Sequence, residues 1–344
     1  MRKVGIMSMQ RIANYGSFLQ AYALKQLIEE VGCNVEFVDY HVGAPVIVEN
    51  ADSKNKVVRK IKKGLETFRY RAPLAHKLSF IRYKQSFAQK YMPLLGIADE
   101  MNYNPTVDCL VIGSDEVFNC IQKNSNVGYS PELFGKNNHA KKLITYAASF
   151  GNTTLVKLEK YKKTDEVGAL LKKFDAISVR DANSGAIVEQ LTGKEPLYNL
   201  DPVLTYDYMN CCDKIPQVQT NEKYLILYAY AGRISNEEAD WISDYAKKKK
   251  LKVYAIGGIQ KCADRFVDCS PFEVLAYFRN AEEVITDTFH GSIFSVITHR
   301  PFTTLIRKSV GNSYGNEEKL SDLLKRLKLA DRMTTKIEDA EKHQ

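Results

Sequence analysis

Asp287 and His290 stand three residues apart in TDTFHGSIFSVITHRPF, Thr286 to Phe302, the stretch best equipped for acid–base chemistry. A carboxylate and an imidazole can move protons near neutral pH. Val284 and Ile285, just before, read as a short buried strand, and Ser292 opens an apolar segment, Ile293 to Ile297, that reads as a helix. A strand passing through Thr286, Asp287 and Thr288 and a Gly291 turn into a helix presents backbone N–H groups that seat an anion. The plainer reading is that Asp287 caps the helix and His290 packs beside a glycine needed for backbone geometry.

The elements that must position these residues repeat one pattern. Lys3 to Ser8 predicts a strand, and a loop through Asn14, Tyr15 and Gly16 follows. Ser17 then reads as the N-cap of a helix carrying Gln20 in its first turn, with Leu19, Tyr22, Ala23, Leu27 and Ile28 at helical spacing and Gly32 as its stop. A strand from Val35 to Asp39 completes a β-α-β unit. The loop is not GxGxxG, so a dinucleotide fingerprint is absent. Gly16 either admits a ligand close to the backbone or makes the turn, and we favour the ligand.

The pattern resumes with an apolar strand, Asp108 to Ile112, emptying into Gly113, Ser114, Asp115 and Glu116. Leu143 to Ser149 is another strand, and a long helix to Phe174 is expected after it. Strand Ala176 to Val179 ends in Arg180-Asp181, and strand Leu197 to Leu200 in Asp201-Pro202. Polar residues thus gather at one edge, where open parallel sheets bind ligands. Tyr206 to Thr220 reads as a connector to a second series with strands Tyr224 to Tyr230, Val253 to Ile256, Val284-Ile285 and Phe302 to Leu305. The fold class expected is α/β, two doubly wound Rossmann-like domains, 1–206 and 207–344, facing across a cleft. Glu317 to Leu329 reads as a terminal amphipathic helix.

A basic helical insertion, about 44–104, interrupts the first domain. From Lys54 to Lys84 there are 11 Lys/Arg against one acid, although the chain carries only +8 in all. Charge confined to one segment argues against general nucleic-acid binding. Val57, Ile61, Leu65 and Phe68 would mark an apolar stripe on this cationic segment, suited to an anionic membrane surface or to packing on its own domain. No apolar run approaches membrane-spanning length, and the N-terminus lacks a signal-peptide core. Seven cysteines without framework spacing read as reduced thiols, and no metal-ligand cluster is evident. A cytoplasmic protein, peripheral at the inner face of the membrane if its acceptor is lipid-linked, is the expectation.

Together NYGSFLQAYAL (Asn14 to Leu24), VIGSDEVFN (Val111 to Asn119), YAASFG (Tyr146 to Gly151), SVRD (Ser178 to Asp181), LDPV (Leu200 to Val203) and TDTFHGSIFS (Thr286 to Ser295) resemble, in order, the polysaccharide pyruvyl transferase family. The resemblance implies a fold like the two-Rossmann-domain (GT-B-like) glycosyltransferases. It also implies transfer of the enolpyruvyl unit of phosphoenolpyruvate to a sugar, forming a pyruvate ketal, with no cofactor beyond that donor. It places His290 near the acceptor and Arg180 near the donor's anionic groups. Some members carry an arginine where this chain has Thr288, so that anion contact is absent or supplied elsewhere.

The residues expected to carry this chemistry are His290 and Asp287 as acid and base. Asn14, Tyr15, Gly16, Gln20, Gly113, Ser114, Asp115, Arg180, Asp201, Thr288, Gly291 and Ser292 are expected to bind substrate. Asn14 and Asp115 suit sugar hydroxyls. Arg180, at a strand end, wants an anion or a structural carboxylate. The expected partners are phosphoenolpyruvate and a saccharide acceptor, without nucleic acid. A nucleotide-sugar glycosyltransferase and a non-catalytic scaffold of a polysaccharide assembly complex are the competing readings.

Overall fold

Apolar runs of four to seven residues that empty into glycine or polar residues fold as parallel strands in this protein, as two-sided burial requires. A computed structural model describes residues 1–47, 66–122, 126–307 and 316–342. They fall into two units: 1–13, 17–47 and 88–206 in the first, and 14–16, 66–87 and 207–342 in the second.

The first unit contains β1 (Lys3–Met7), β2 (Asn34–Phe37), β3 (Cys109–Asp115), β4 (Lys142–Ala148), β5 (Ser178–Val179) and β6 (Leu197–Tyr198). They form one parallel sheet in the order β2-β1-β3-β4-β5-β6. Its core joins Met7, Ile112, Phe118, Phe134, Phe150 and Val179. The single long helix expected before Phe174 is two shorter ones, Leu155–Lys160 and Thr164–Leu171. Tyr161 caps the first, and Lys162 has a left-handed backbone (φ 55°) that no continuous helix accommodates.

The second unit contains β7 (Tyr224–Tyr228), β8 (Lys252–Ile256), β9 (Arg265–Phe266), β10 (Glu283–Thr286), β11 (Phe302–Leu305) and β12 (Met333–Thr334). The order β12-β11-β10-β7-β8-β9 is that of a Rossmann sheet, all pairs parallel. Two-residue strands β9 and β12 carry too little periodicity to be read from sequence. The direction of winding reverses between β7 and β10, which makes their carboxyl ends the topological switch point. The helix Glu317–Arg326 buries Leu320, Leu323 and Leu324, the apolar side expected of it.

The described part of the insertion supplies the helix Leu74–Tyr91, whose buried face is Phe80, Tyr83 and Phe87. Residues 66–87 group with the second unit, whereas the sequence pattern places the insertion in the first domain. The reason is aromatic packing. Phe80 and Tyr83 lie edge-on to Phe266, with ring centroids 5.6 and 6.2 Å away. Tyr83 and Phe87 also pack on Tyr15 at 5.3 and 5.7 Å. Of the predicted apolar stripe, Val57, Ile61 and Leu65 lie outside the described residues, and Phe68 is exposed.

Candidate active site

At the switch point of the second sheet β10 runs out through Thr286, Asp287 and Thr288 into the helix Phe289–Ile297. Thr286 Oγ1 donates to the Tyr228 carbonyl at 2.7 Å, tying the ends of β10 and β7 together. The N-cap of the helix is Thr288, not Asp287: Thr288 Oγ1 accepts the Gly291 N–H at 2.9 Å. Capping needs an oxygen within reach of the third helical N–H, and Thr288 is one residue closer. The Gly291 N–H that was expected to help hold an anion is therefore already satisfied. Ser292 is buried too, its hydroxyl bonded within the fold to the Thr288 carbonyl and Thr304.

Asp287 is left in an unusual setting. It is fully buried, and neither carboxylate oxygen has a hydrogen-bond partner among the described residues. It is therefore not hydrogen-bonded to His290, and the proton-sharing pair expected from sequence is not formed. Among the described residues its nearest cation is Arg233, with Nη1 3.7 Å from Oδ2. Burial pushes the Asp287 carboxyl above its usual range, and Arg233 and Arg307 pull it back only in part. Asn316 holds this corner by donating from Nδ2 to the Asp287 carbonyl at 2.7 Å.

Arg233 lies in the loop between β7 and the helix Asn236–Lys249, with its guanidinium 4.4 Å from the centre of the Tyr230 ring. Tyr230 Oη in turn accepts from Asn14 Nδ2 at 2.7 Å, and Asn14 Oδ1 accepts the Gly16 N–H at 2.7 Å. Asn14, not Ser17, thus caps the helix Tyr15–Glu30. Both polar ends of Asn14 are engaged inside the protein, where sequence reasoning reserved them for sugar hydroxyls. Tyr15 is buried, its hydroxyl donating to the Cys269 carbonyl at 2.9 Å. A small pocket opens at this edge, lined by Asn14, Tyr15, Tyr83, Lys84, Tyr230 and Thr288 among others.

Gly16 is close to a side chain rather than to a ligand. A Cβ built on Gly16 would stand 2.2 Å from His290 Nδ1. The imidazole occupies the space a side chain would need, which is why this position is glycine. His290 is half-buried, with its ring packed beside Phe289 and Phe294.

The predicted residues of the first unit form a separate cluster. Arg180 is buried and donates to Asp201 Oδ2 at 2.8 Å and to Asp115 Oδ1 at 3.2 Å. Burial works against its charge, but Asp115 and Asp201 outweigh that and raise its pKa. The anion that a buried arginine requires is therefore supplied by the fold, and the case for an outside anion at Arg180 loses its premise. Asp115 also accepts from Ser17 Oγ at 3.0 Å, and Asp201 caps the helix Pro202–Thr205. Gly113 has φ 126°, and a Cβ there would meet the Tyr146 carbonyl oxygen at 2.2 Å. Ser114 donates to the Ala147 carbonyl at 3.0 Å, and Gln20 donates to Ser8 Oγ at 2.9 Å. Both are fully buried.

The polysaccharide pyruvyl transferase profile matches residues 14–309, most of the chain, including both clusters. This chain belongs to the polysaccharide pyruvyl transferase family. Membership makes it a transferase. Among curated proteins none matches its sequence. Its solved neighbours include a UDP-GlcNAc 2-epimerase from Methanocaldococcus jannaschii, at 10% identity and TM-score 0.48, covering 100% of this chain and 91% of that one. A second is MnaA of S. aureus in a structure with UDP, at 11% identity and TM-score 0.47, covering 99% and 94%. E. coli heptosyltransferase WaaC with ADP matches at 12% identity and TM-score 0.39, covering 99% of each chain.

In this pyruvyl transferase family member, sequence reasoning missed Arg233, Tyr230 and Asn316. A signal for the first two was present: AYAGR follows β7 directly, at a strand-to-helix turn of the kind that located Asp287. Asn316 gives no such signal, because it acts across 29 residues on a backbone carbonyl.

Proposed function

We propose that the protein transfers the enolpyruvyl unit of phosphoenolpyruvate to two hydroxyls of a saccharide, forming a pyruvate ketal and releasing phosphate. Family membership supports this, and the single structural observation that carries it is the composition of the switch-point edge. A guanidinium, Arg233, and a half-buried imidazole, His290, stand at the two strand-to-helix turns of that edge.

The first sugar hydroxyl adds to C2 of the enol phosphate, and its proton, relayed by His290, ends on C3, which becomes a methyl group. The C2–O bond to phosphate then breaks. The second hydroxyl closes the ketal, and its proton leaves with the phosphate. Asp287 touches Arg233 rather than any reacting atom, so it is a positioning residue. Its oxygens are buried, so it does not serve as the base expected from sequence.

A lipid-linked acceptor would bring the enzyme to an anionic membrane surface, where the insertion's lysines and arginines each contribute about 1 kcal/mol. Among the described residues no helix is long and apolar enough to cross a membrane. Salt-sensitive co-sedimentation with anionic but not neutral vesicles is expected, and binding to neither would remove this extension.

The test of the main reading is ligand-dependent melting. Phosphoenolpyruvate is expected to raise the melting temperature, and a saccharide acceptor to trigger release of inorganic phosphate. Stabilisation by a nucleoside diphosphate but not by phosphoenolpyruvate would replace this reading with a nucleotide-sugar glycosyltransferase.

A further inference from the structure

The helix Leu74–Tyr91 is apolar on two faces. Phe80, Tyr83 and Phe87 form the buried one, whereas Leu74 and Leu78 are 62% and 51% exposed. Leu74, Leu78 and the half-buried Ile81 recur at i, i+4 and i+7, and Ile81 stands about 200° around the helix from Tyr83. Phe68, 45% exposed, lies at the same end. Lys77 Nζ donates to its carbonyl at 2.9 Å and stands 6.0 Å from the centre of its ring. Single exposed leucines are ordinary, but apolar side chains gathered at helical spacing on the solvent side form a patch.

The charge around this patch is of one sign. The helix Leu74–Tyr91 contains no Asp or Glu, and Arg82 stands exposed one turn on from Leu78. Exposed Arg69 and Arg71 follow Phe68 in the chain. Of the 11 Lys/Arg between Lys54 and Lys84, these three with Lys77 and Lys84 lie in the described part, against Glu66 alone. Leucine and isoleucine bordered by arginine suit the boundary between headgroups and acyl chains, which takes up apolar side chains without a shaped pocket. A protein interface of this size would instead be anchored by buried aromatic residues, and the aromatic residues of this helix face inward.

We infer that Phe68, Leu74, Leu78 and Ile81 dip into an anionic lipid surface, with Arg69, Arg71 and Arg82 at its phosphates. Arginine stems lie along the apolar patch while their guanidinium heads stay among the headgroups. This deepens the lipid-linked-acceptor extension of the proposed function and rests on it for what the surface delivers. Tyr83 and Lys84 of the same helix line the small pocket at the switch-point edge. The lipid surface and the pocket wall are therefore separated by one helix diameter, about 10 Å. A saccharide on a lipid carrier reaches the pocket without leaving the membrane.

The experiment is co-sedimentation of the full chain with vesicles of phosphatidylcholine alone and with phosphatidylglycerol added. Wild type is compared with Leu74→Gln/Leu78→Gln, with Arg82→Gln, and with a control pair, Val156→Gln/Leu197→Gln, whose residues are 72% and 66% exposed elsewhere. Each is first checked for cooperative melting, and phosphate release from phosphoenolpyruvate with a soluble saccharide acceptor is followed in parallel. Wild type is expected to bind the anionic vesicles only. Leu74→Gln/Leu78→Gln should bind them roughly 10-fold more weakly, the loss of two shallow apolar contacts, with phosphate release as in wild type. Arg82→Gln should bind about 5-fold more weakly at low salt, and the control pair like wild type. Undiminished binding in Leu74→Gln/Leu78→Gln, or equal weakening in the control pair, overturns the docking face and leaves general charge attraction through the insertion. Binding to neither kind of vesicle overturns the face and the membrane extension together, and phosphate release that persists then leaves pyruvyl transfer standing. Vesicle binding that depends on the leucines in a protein releasing no phosphate would overturn pyruvyl transfer and keep the docking face.

Discussion

Gly16 and His290 share a space that only one of them can fill: the Cβ missing from Gly16 would lie 2.2 Å from His290 Nδ1. The orientation of the proposed acid–base residue is thus set by a glycine 274 positions earlier in the chain (290 − 16), and that gives the first prediction. Gly16→Ala should cost about 1–3 kcal/mol of stability through overpacking, and turnover should fall as the imidazole is pushed aside. In a His290→Ala background the clash with the ring is gone but a Cβ contact of 2.9 Å remains, so the stability cost should shrink without vanishing. Urea titration of the four proteins in this cycle measures the coupling. Additive losses would mean that the two residues do not contact each other in solution.

His290→Ala alone should lower turnover by about 10²–10⁴-fold, the usual cost of removing a positioned acid or base. Its melting temperature should change little, because the ring is half-buried at the rim rather than in the core. Steady-state phosphate release beside a melting curve checks both halves. Full activity in the alanine variant would remove His290 from the chemistry.

Arg180→Ala should be chiefly a stability variant. It leaves Asp115 and Asp201 facing each other without the cation both contact, at 3.2 and 2.8 Å in the native state. Breaking a buried pair in this way costs about 3–5 kcal/mol. Arg180→Lys should recover part of it, since a point charge cannot serve both carboxylates with the geometry of a fork. A lysine variant of unchanged stability with weakened donor binding would instead return Arg180 to the substrate site.

The stability of the wild type should fall relative to Asp287→Asn as the pH rises. Burial raises the Asp287 carboxyl above its ordinary value of 3.8. Between that value and the raised native one, the folded protein holds more protons than the unfolded chain. Stability therefore declines with rising pH through this window and stays lower above it. The asparagine variant lacks this slope. Melting temperatures measured from acidic to neutral pH should diverge in favour of Asp287→Asn. Parallel curves would show that Asp287 titrates normally.

Thr288→Ala should cost about 1 kcal/mol, the typical loss of an N-cap, with Thr288→Ser close to wild type. The bond at issue is the one from the Gly291 N–H to Thr288 Oγ1. An unaffected alanine variant would mean the helix start is held by other contacts.

Much of the architecture follows from local sequence. β1, β3, β4, β7, β10 and β11 lie where short apolar runs empty into polar residues, because burial on both faces of a parallel sheet leaves that imprint on each strand separately. The motif order carried the family, and the turn at Thr286 to Ser292 was legible as a strand-to-helix junction. What the polar residues do there was decided only by tertiary structure. Arg180 finds its carboxylates 21 and 65 positions away. Asp287 meets a cation 54 positions earlier in the chain (287 − 233). Caps and turns act over three or four residues and are written locally, whereas the partner of a buried charge is chosen by how the strands order themselves in the sheet. Sequence therefore located the polar strand ends, and the fold determined that those of the first unit are largely satisfied internally while Asp287 is left facing Arg233.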